Sequence, residues 1–97
     1  MKIGYARVST LDQNLDLQMQ ALKKAGCQKI FCEKVSGAVR QRPEFQQMLD
    51  QLREDDTVIV WRLDRLARST RHLLETMETI RVAGARFQSL SEPWADT

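Results

Sequence analysis

Thr57-Val58-Ile59-Val60-Trp61 runs straight into Arg62-Leu63-Asp64-Arg65-Leu66-Ala67-Arg68, an apolar strand-like stretch that empties into a basic one. Arg62, Arg65, Arg68 and Arg71 stand at a strict three-residue interval, with Asp64 as the acid among them. Guanidinium is a permanently charged, flat fork matched to phosphate oxygens, so several of them where a strand ends are suited to gripping a phosphodiester.

The same alternation of short apolar runs with helical patterns extends in both directions. Lys2 to Val8 alternates, with β-branched and aromatic members, and reads as a strand; Leu11, Leu15, Met19 and Leu22 then recur at helical spacing up to a stop at Gly26. Lys29 to Glu33 reads as a second strand, followed by a polar loop from Lys34 to Arg42, and Pro43 opens a helix with Phe45, Met48, Leu49 and Leu52 on one face. Beyond the third strand, Thr57 to Trp61, the residues Leu63, Leu66 and Ala67 predict a short helix. Leu73, Leu74, Met77 and Ile80 predict a longer one ended by Gly84, and Arg86 to Ser89 a fourth, weaker strand. Strands alternating with helices of this length predict an α/β fold in three layers: right-handed crossovers build a mainly parallel central sheet with helices on both faces. Ligands in such sheets sit beyond the carboxyl ends of the strands. Three polar segments fall there: Arg7 and Ser9 after strand one, Ser36 to Arg42 after strand two, and Arg62 to Arg68 after strand three.

Ninety-seven residues make one small domain with room for a core. A charged fraction of 29% and a hydrophobic fraction of 42% are those of an ordinary globular chain, and a net charge of +2 is too weak by itself to announce nucleic acid. The distribution of charge says more. Arg62 to Arg71 carries four arginines against Asp64, while Asp50 to Asp56 carries four acids against Arg53, so opposite ends of the molecule are expected to differ in sign. No apolar stretch approaches the length of a membrane span and the N-terminus lacks a signal-peptide pattern, so no membrane partner and a cytoplasmic location are expected. Cys27 and Cys32 flank a short strand-like run and read as core residues rather than a bridge. With His72 as the one histidine, they fall short of a four-ligand zinc site.

Ser9 has Arg7 two positions earlier, and on an extended segment residues two apart share a face. A serine that attacks a phosphate must lose its proton and have the extra charge of the transition state held by fixed cations, which arginines supply. The plainer alternative is that Ser9 caps helix one, with Asp12 and Asn14 as rival caps. Asp64 and Arg68 are spaced as a helical i, i+4 ion pair worth a few tenths of a kcal/mol, which accounts for one arginine and leaves Arg65 without a local partner. Arg40 and Arg42 read either as solvated charges or as part of the cluster. Gln18 lies close to the Leu15 and Met19 face, as a boundary residue.

Taken together, Tyr5-Ala6-Arg7-Val8-Ser9-Thr10, Gln13, Gln18, Ser36-Gly37, Arg42 and Leu63-Asp64-Arg65-Leu66-Ala67-Arg68 resemble the catalytic domain of the serine recombinases, in the resolvase/invertase branch. The likeness runs in order and spacing from Tyr5 to about Ser89. It implies that Ser9 is the nucleophile that attacks a DNA phosphodiester, forming a phosphoserine bond to the 5′ end and freeing a 3′ hydroxyl. It further implies that Arg7, Arg65, Arg68 and Arg42 surround the scissile phosphate, that Asp64 is the active-site acid, and that Gln13, Gln18 and Ser36 are supporting polar positions. Members of the family cut both strands of two double-stranded DNA sites, exchange the ends and rejoin them, as a dimer on each site and a tetramer in the synapse. They require no metal and no nucleotide cofactor. The sequence has no Gly-rich phosphate loop of the Lys-Ser/Thr type and no carboxylate pair spaced for magnesium.

The general base stays open. Arginine is almost never neutral, so Asp64 either accepts the proton or orients Arg65 or Arg68; His72 has a suitable pKa range but lies beyond the matched motif. A DNA-binding module would keep the arginines without needing Ser9, and a phosphatase or nuclease would pass the phosphate to water. Family members continue into a long dimerisation helix and a helix-turn-helix domain, which this sequence, ending at Pro93-Trp94-Ala95-Asp96-Thr97, does not include. The 97 residues are therefore expected to be inactive in recombination alone and to bind duplex DNA weakly and without sequence choice. A tight, sequence-selective complex in a gel-shift assay would refute that expectation.

Overall fold

A computed structural model of the chain describes residues 1–8, 15–34, 43–62 and 70–92. Four strands and three helices alternate along them: β1 (Lys2–Val8), α1 (Leu15–Lys24), β2 (Lys29–Lys34), α2 (Pro43–Asp50), β3 (Thr57–Val60), α3 (Thr70–Val82) and β4 (Arg86–Ser89). The strands form one sheet in the order β2-β1-β3-β4, and every neighbouring pair is parallel. The expected α/β fold is thus present, with a sheet parallel throughout. Strand two runs one residue further than the sequence suggests, to Lys34, and strand three ends one residue sooner, at Val60. The short helix expected around Leu63, Leu66 and Ala67 falls outside the described residues.

Parallel pairing sets the layers. Each crossover must carry the chain back over the sheet, and the right-handed rule decides which face it takes. The first crossover moves outward from β1 to β2; the second returns across β1 to β3, so α1 and α2 lie on opposite faces, and α3 joins α2. The two core clusters follow. Ile3, Tyr5, Phe31, Val58, Val60 and Phe87 from the sheet pack with Phe45 and Met48 of α2 and Ile80 of α3. On the other face Ala6 and Ile59 meet Leu22 of α1, flanked by Met19, Ala25 and Ile30. Strand alternation sorts these sets, since Ile3 and Tyr5 point one way and Gly4 and Ala6 the other. Burying each large side chain contributes about 1.5–3 kcal/mol, and no described helix is long and apolar enough to cross a membrane.

The helix ends obey the local signals. Gly26 (φ 94°) and Gly84 (φ 80°) adopt the left-handed conformation just past α1 and α3. Around each, paired amide-to-carbonyl bonds close the last turn: Gly26 N–H to Lys23 O at 3.0 Å with Cys27 N–H to Leu22 O at 3.2 Å, and Gly84 N–H to Arg81 O at 2.9 Å with Ala85 N–H to Ile80 O at 3.1 Å. Cys27 and Cys32 are both free thiols and both half-buried; Cys27 packs against the core cluster under α1, whereas Cys32 lies in neither cluster, short of the core position expected for it. Burial pushes the Cys27 thiol above its ordinary range, against a smaller opposing effect of the Lys2 ammonium.

α1 lies close on β1. A Cβ at Gly4 would come within 3.1 Å of Cys27 Sγ, 3.2 Å of Leu22 Cδ1 and 3.3 Å of Ile30 Cγ1, so Gly4→Val is expected to overpack this interface and cost about 1–3 kcal/mol. Met48→Ala, which empties a fully buried position on the opposite face, should cost about 2–5 kcal/mol. Urea denaturation of both variants checks these values; an unchanged midpoint for either would contradict the packing described.

Candidate active site

All four strands being parallel, their carboxyl ends share one edge of the sheet. β1 ends at Val8, β2 at Lys34 and β3 at Val60, so the residues that follow in sequence, beginning with Ser9, Val35 and Trp61, leave from that edge. Of the site residues expected from the sequence, Arg7 and Gln18 are described. Ser9, Gln13, Ser36, Arg42, Asp64, Arg65 and Arg68 lie outside the described residues.

Arg7 is half-buried on the last turn of the β1 ladder and pairs in register with Glu33 of β2. Gln18 is fully buried rather than at a boundary. It shares the inward face of α1 with Leu22, four residues on, and its Nε2 donates to the carbonyl of Arg7 at 3.4 Å. Among the described residues its buried Oε1 has no hydrogen-bond partner. The helix thereby touches the backbone of the strand end that leads to Ser9.

The outer members of the arginine ladder behave as surface charges. Arg62 is exposed and lays its guanidinium 4.6 Å from the centre of the Trp61 ring. Arg71 is exposed too and bridges Glu75 one helical turn on, Nε to Oε1 at 3.4 Å, an ion pair of small worth in solvent. His72 is half-buried in the first turn of α3, its ring 6.1 Å from that of Phe45, in keeping with a helix-start position. The acids of Asp50 to Asp56 gather at the opposite, amino edge, just ahead of β3. Asp56 is buried there, accepting the Arg53 N–H at 2.9 Å and the Met1 amine at 3.2 Å.

Sequence reading passed over Glu33. The residue is 3% exposed, and its carboxylate accepts the hydroxyl of the fully buried Tyr5 and the backbone N–H of Glu44 at 3.3 Å. The available signal was period two: Glu33 follows Phe31 on the inward face of β2, an unusual place for a carboxylate.

A buried acceptor left without a partner costs about 1–3 kcal/mol, and among the described residues nothing offsets that cost at Gln18. Gln18→Met should leave the unfolding free energy unchanged or raise it by up to about 1 kcal/mol, as read by urea denaturation. A loss of 2 kcal/mol or more would mean that the amide is fully satisfied in solution.

Three comparisons bear on this arrangement. The family model for the resolvase N-terminal domain matches residues 2–97. A transposon Tn917 resolvase of Enterococcus faecalis is 48% identical over 92 residues, 95% of this chain and 50% of the relative, and the serine recombinase gin of Escherichia phage Mu is 49% identical over 92 residues, 95% of this chain and 48% of the relative. The chain thus spans about half the length of these curated relatives. Among solved structures, the N-terminal catalytic domain of TP901-1 integrase superposes with a TM-score of 0.81 at 31% identity, covering 96% of this chain and 79% of the other. Sequence motifs, parallel sheet and relatives agree: the chain belongs to the resolvase/invertase family of serine recombinases and corresponds to its N-terminal catalytic domain.

Proposed function

We propose that this chain is the strand-cutting and rejoining part of a site-specific DNA recombinase. The observation that carries the reading is the shared edge: three parallel strands run toward it, β1 and β2 ending side by side at Val8 and Lys34 and β3 opposite Tyr5, and the segments that follow in sequence hold Ser9, then Ser36 and Arg42, then Asp64, Arg65 and Arg68, with Arg7 on β1 itself. Relatives named resolvase, DNA-invertase and serine recombinase support it.

In this reading Ser9 Oγ attacks the phosphorus of a DNA phosphodiester. The Oγ–P bond forms, the bond from phosphorus to the 3′ oxygen breaks, and that oxygen leaves as a hydroxyl, having gained a proton. The 5′ end stays on Ser9 as a phosphodiester, so the energy of the broken bond is conserved and rejoining is the same displacement in reverse. Arg7, Arg42, Arg65 and Arg68 hold the charge that builds on the non-bridging oxygens. Asp64 takes the Ser9 proton or orients the neighbouring guanidiniums. Gln13, Gln18 and Ser36 support the segments that carry these groups. Duplex DNA is the partner, and cutting both strands of two sites calls for four copies, paired as a dimer on each site.

The test uses the chain extended to the length of its relatives and a duplex bearing a recombination site. Denaturing electrophoresis should reveal protein joined covalently to DNA 5′ ends. Ser9→Ala should abolish the adduct, and Arg65→Ala or Arg68→Ala should slow its formation by about 10²- to 10³-fold. An adduct that survives Ser9→Ala would remove the nucleophile; binding without any adduct would favour a regulatory module, and release of free phosphate or nicked DNA a hydrolase.

A further inference from the structure

Arg62 is exposed at the carboxyl edge of the sheet, and among the described residues no carboxylate pairs with it. The exposed arginines of α3 differ, since Arg71 bridges Glu75 and Arg81 bridges Glu78 about one turn away. What holds Arg62 is its neighbour in sequence. Its guanidinium carbon lies over the Trp61 ring, 4.6 Å from the centre, an attraction between a charge and the face of a π-system. No oxygen acceptor is used in it, so the flat fork of N–H groups that matches phosphate stays unspent.

The ring has a fixed base. Trp61 is half-buried, and its carbonyl accepts the Ser91 N–H at 3.0 Å, next to the bond from Leu90 N–H to Val60 O at 2.9 Å. The chain leaving β4 therefore stays bonded to the chain leaving β3 beyond the last strand residues. A guanidinium resting on such a base has already given up part of the rotamer freedom that a solvated arginine loses on binding.

Position supplies the ligand class. Val60 pairs with Tyr5; Arg62 stands two residues beyond Val60, and Arg7 two residues beyond Tyr5 on β1. Neighbouring strands lie about 4.8 Å apart, so both arginines leave from the same stretch of one edge. They differ in depth, Arg7 being half-buried and Arg62 exposed. A side chain folded back over its neighbour has little reach left, which suits the phosphates on the outside of a duplex better than base edges sunk in a groove.

We propose that Arg62, held over Trp61, is a contact for the phosphate backbone of duplex DNA, made outside the reacting centre and without regard to base sequence. This rests on the recombinase reading above for the identity of the polyanion.

The test titrates the chain extended to the length of its relatives with a duplex bearing a recombination site and with a scrambled duplex, by fluorescence anisotropy at several salt concentrations. For each copy bound, Arg62→Ala should lower the slope of log K against log salt by about 0.9 and weaken binding by about eightfold at 0.1 M salt, equally on both duplexes. Arg62→Lys, which keeps the charge, should keep the slope. Arg71→Ala removes an equal charge that is already engaged with Glu75 and should keep it too. Trp61→Leu should keep the slope yet weaken binding by about two- to fivefold, and Trp61→Phe, a poorer cation partner that occupies the same place, by less. The double variant Trp61→Leu/Arg62→Ala should bind no more weakly than Arg62→Ala.

An unchanged slope in Arg62→Ala, or an equal fall in Arg71→Ala, would overturn the contact. A loss confined to one of the two duplexes would make Arg62 a reader of base edges and overturn the backbone assignment. If Trp61→Leu binds like the wild type, or Trp61→Phe more weakly than Trp61→Leu, the part given to the ring is overturned. The wild-type covalent adduct is scored separately. A slope that falls in Arg62→Ala with no adduct in the wild type leaves the DNA contact standing and overturns the recombinase reading, and an adduct with an unchanged slope does the reverse.

Discussion

The parallel pairing of β1 with both of its neighbours is the constraint on which the rest of the molecule depends. Ile3 pairs with Lys29 on one side and Val58 on the other, and the register continues to Val8 against β2 and to Tyr5 against β3. Parallel neighbours cannot be joined by tight turns, so each connection must cross the sheet and bury an apolar helix face on it. The same geometry sends every strand's carboxyl end to one edge. Core, layer order and candidate site are therefore consequences of a single hydrogen-bonding choice, made by a strand whose own two faces bury Tyr5 and Ala6 completely.

Local signals were legible because they depend on neighbours in sequence. The alternation in Lys2 to Val8 gave a strand whose bounds agree with the structure, and Gly26 and Gly84 stop α1 and α3 as expected. Strand ends were off by one residue at Lys34 and Trp61, since the last ladder bond depends on the partner strand. The order β2-β1-β3-β4 could not be read from the chain: it requires knowing which way each crossover turns. Among the candidate site residues, Arg7 was singled out by its two-residue spacing from Ser9, and the structure places it next to the last residue of β1. The depth of Gln18 was missed because an amide on an apolar helix face looks the same in sequence whether it sits at the rim or beneath a strand end. Glu33 was missed because the partners of its carboxylate are 28 and 11 residues away.

The charge pattern takes on meaning once the edges are defined. The acids between Asp50 and Asp56 precede β3 and the arginine ladder follows it, so a strand of four residues separates the two signs. Of the ladder, Arg62 is described just past the carboxyl end of β3, while the acids lie at the strand's other end and are screened over about 10 Å at moderate salt. Arg71 is engaged with Glu75, which limits what it adds to this field. The net charge of the chain conceals an arrangement that its topology separates.

Strand order also has a consequence in time. The first of the four described strands is an interior strand of the sheet, and its two partners begin 26 and 55 residues later, at Lys29 opposite Ile3 and Thr57 opposite Lys2. No pairing of β1 can form locally. Loop closure must precede the contacts that reward it, which slows folding in proportion to the separation bridged. On a ribosome β1 can therefore pair on one side once β2 has emerged but must keep its other edge open until β3 follows, so a strand that ends in the interior of the sheet spends part of its making as an edge.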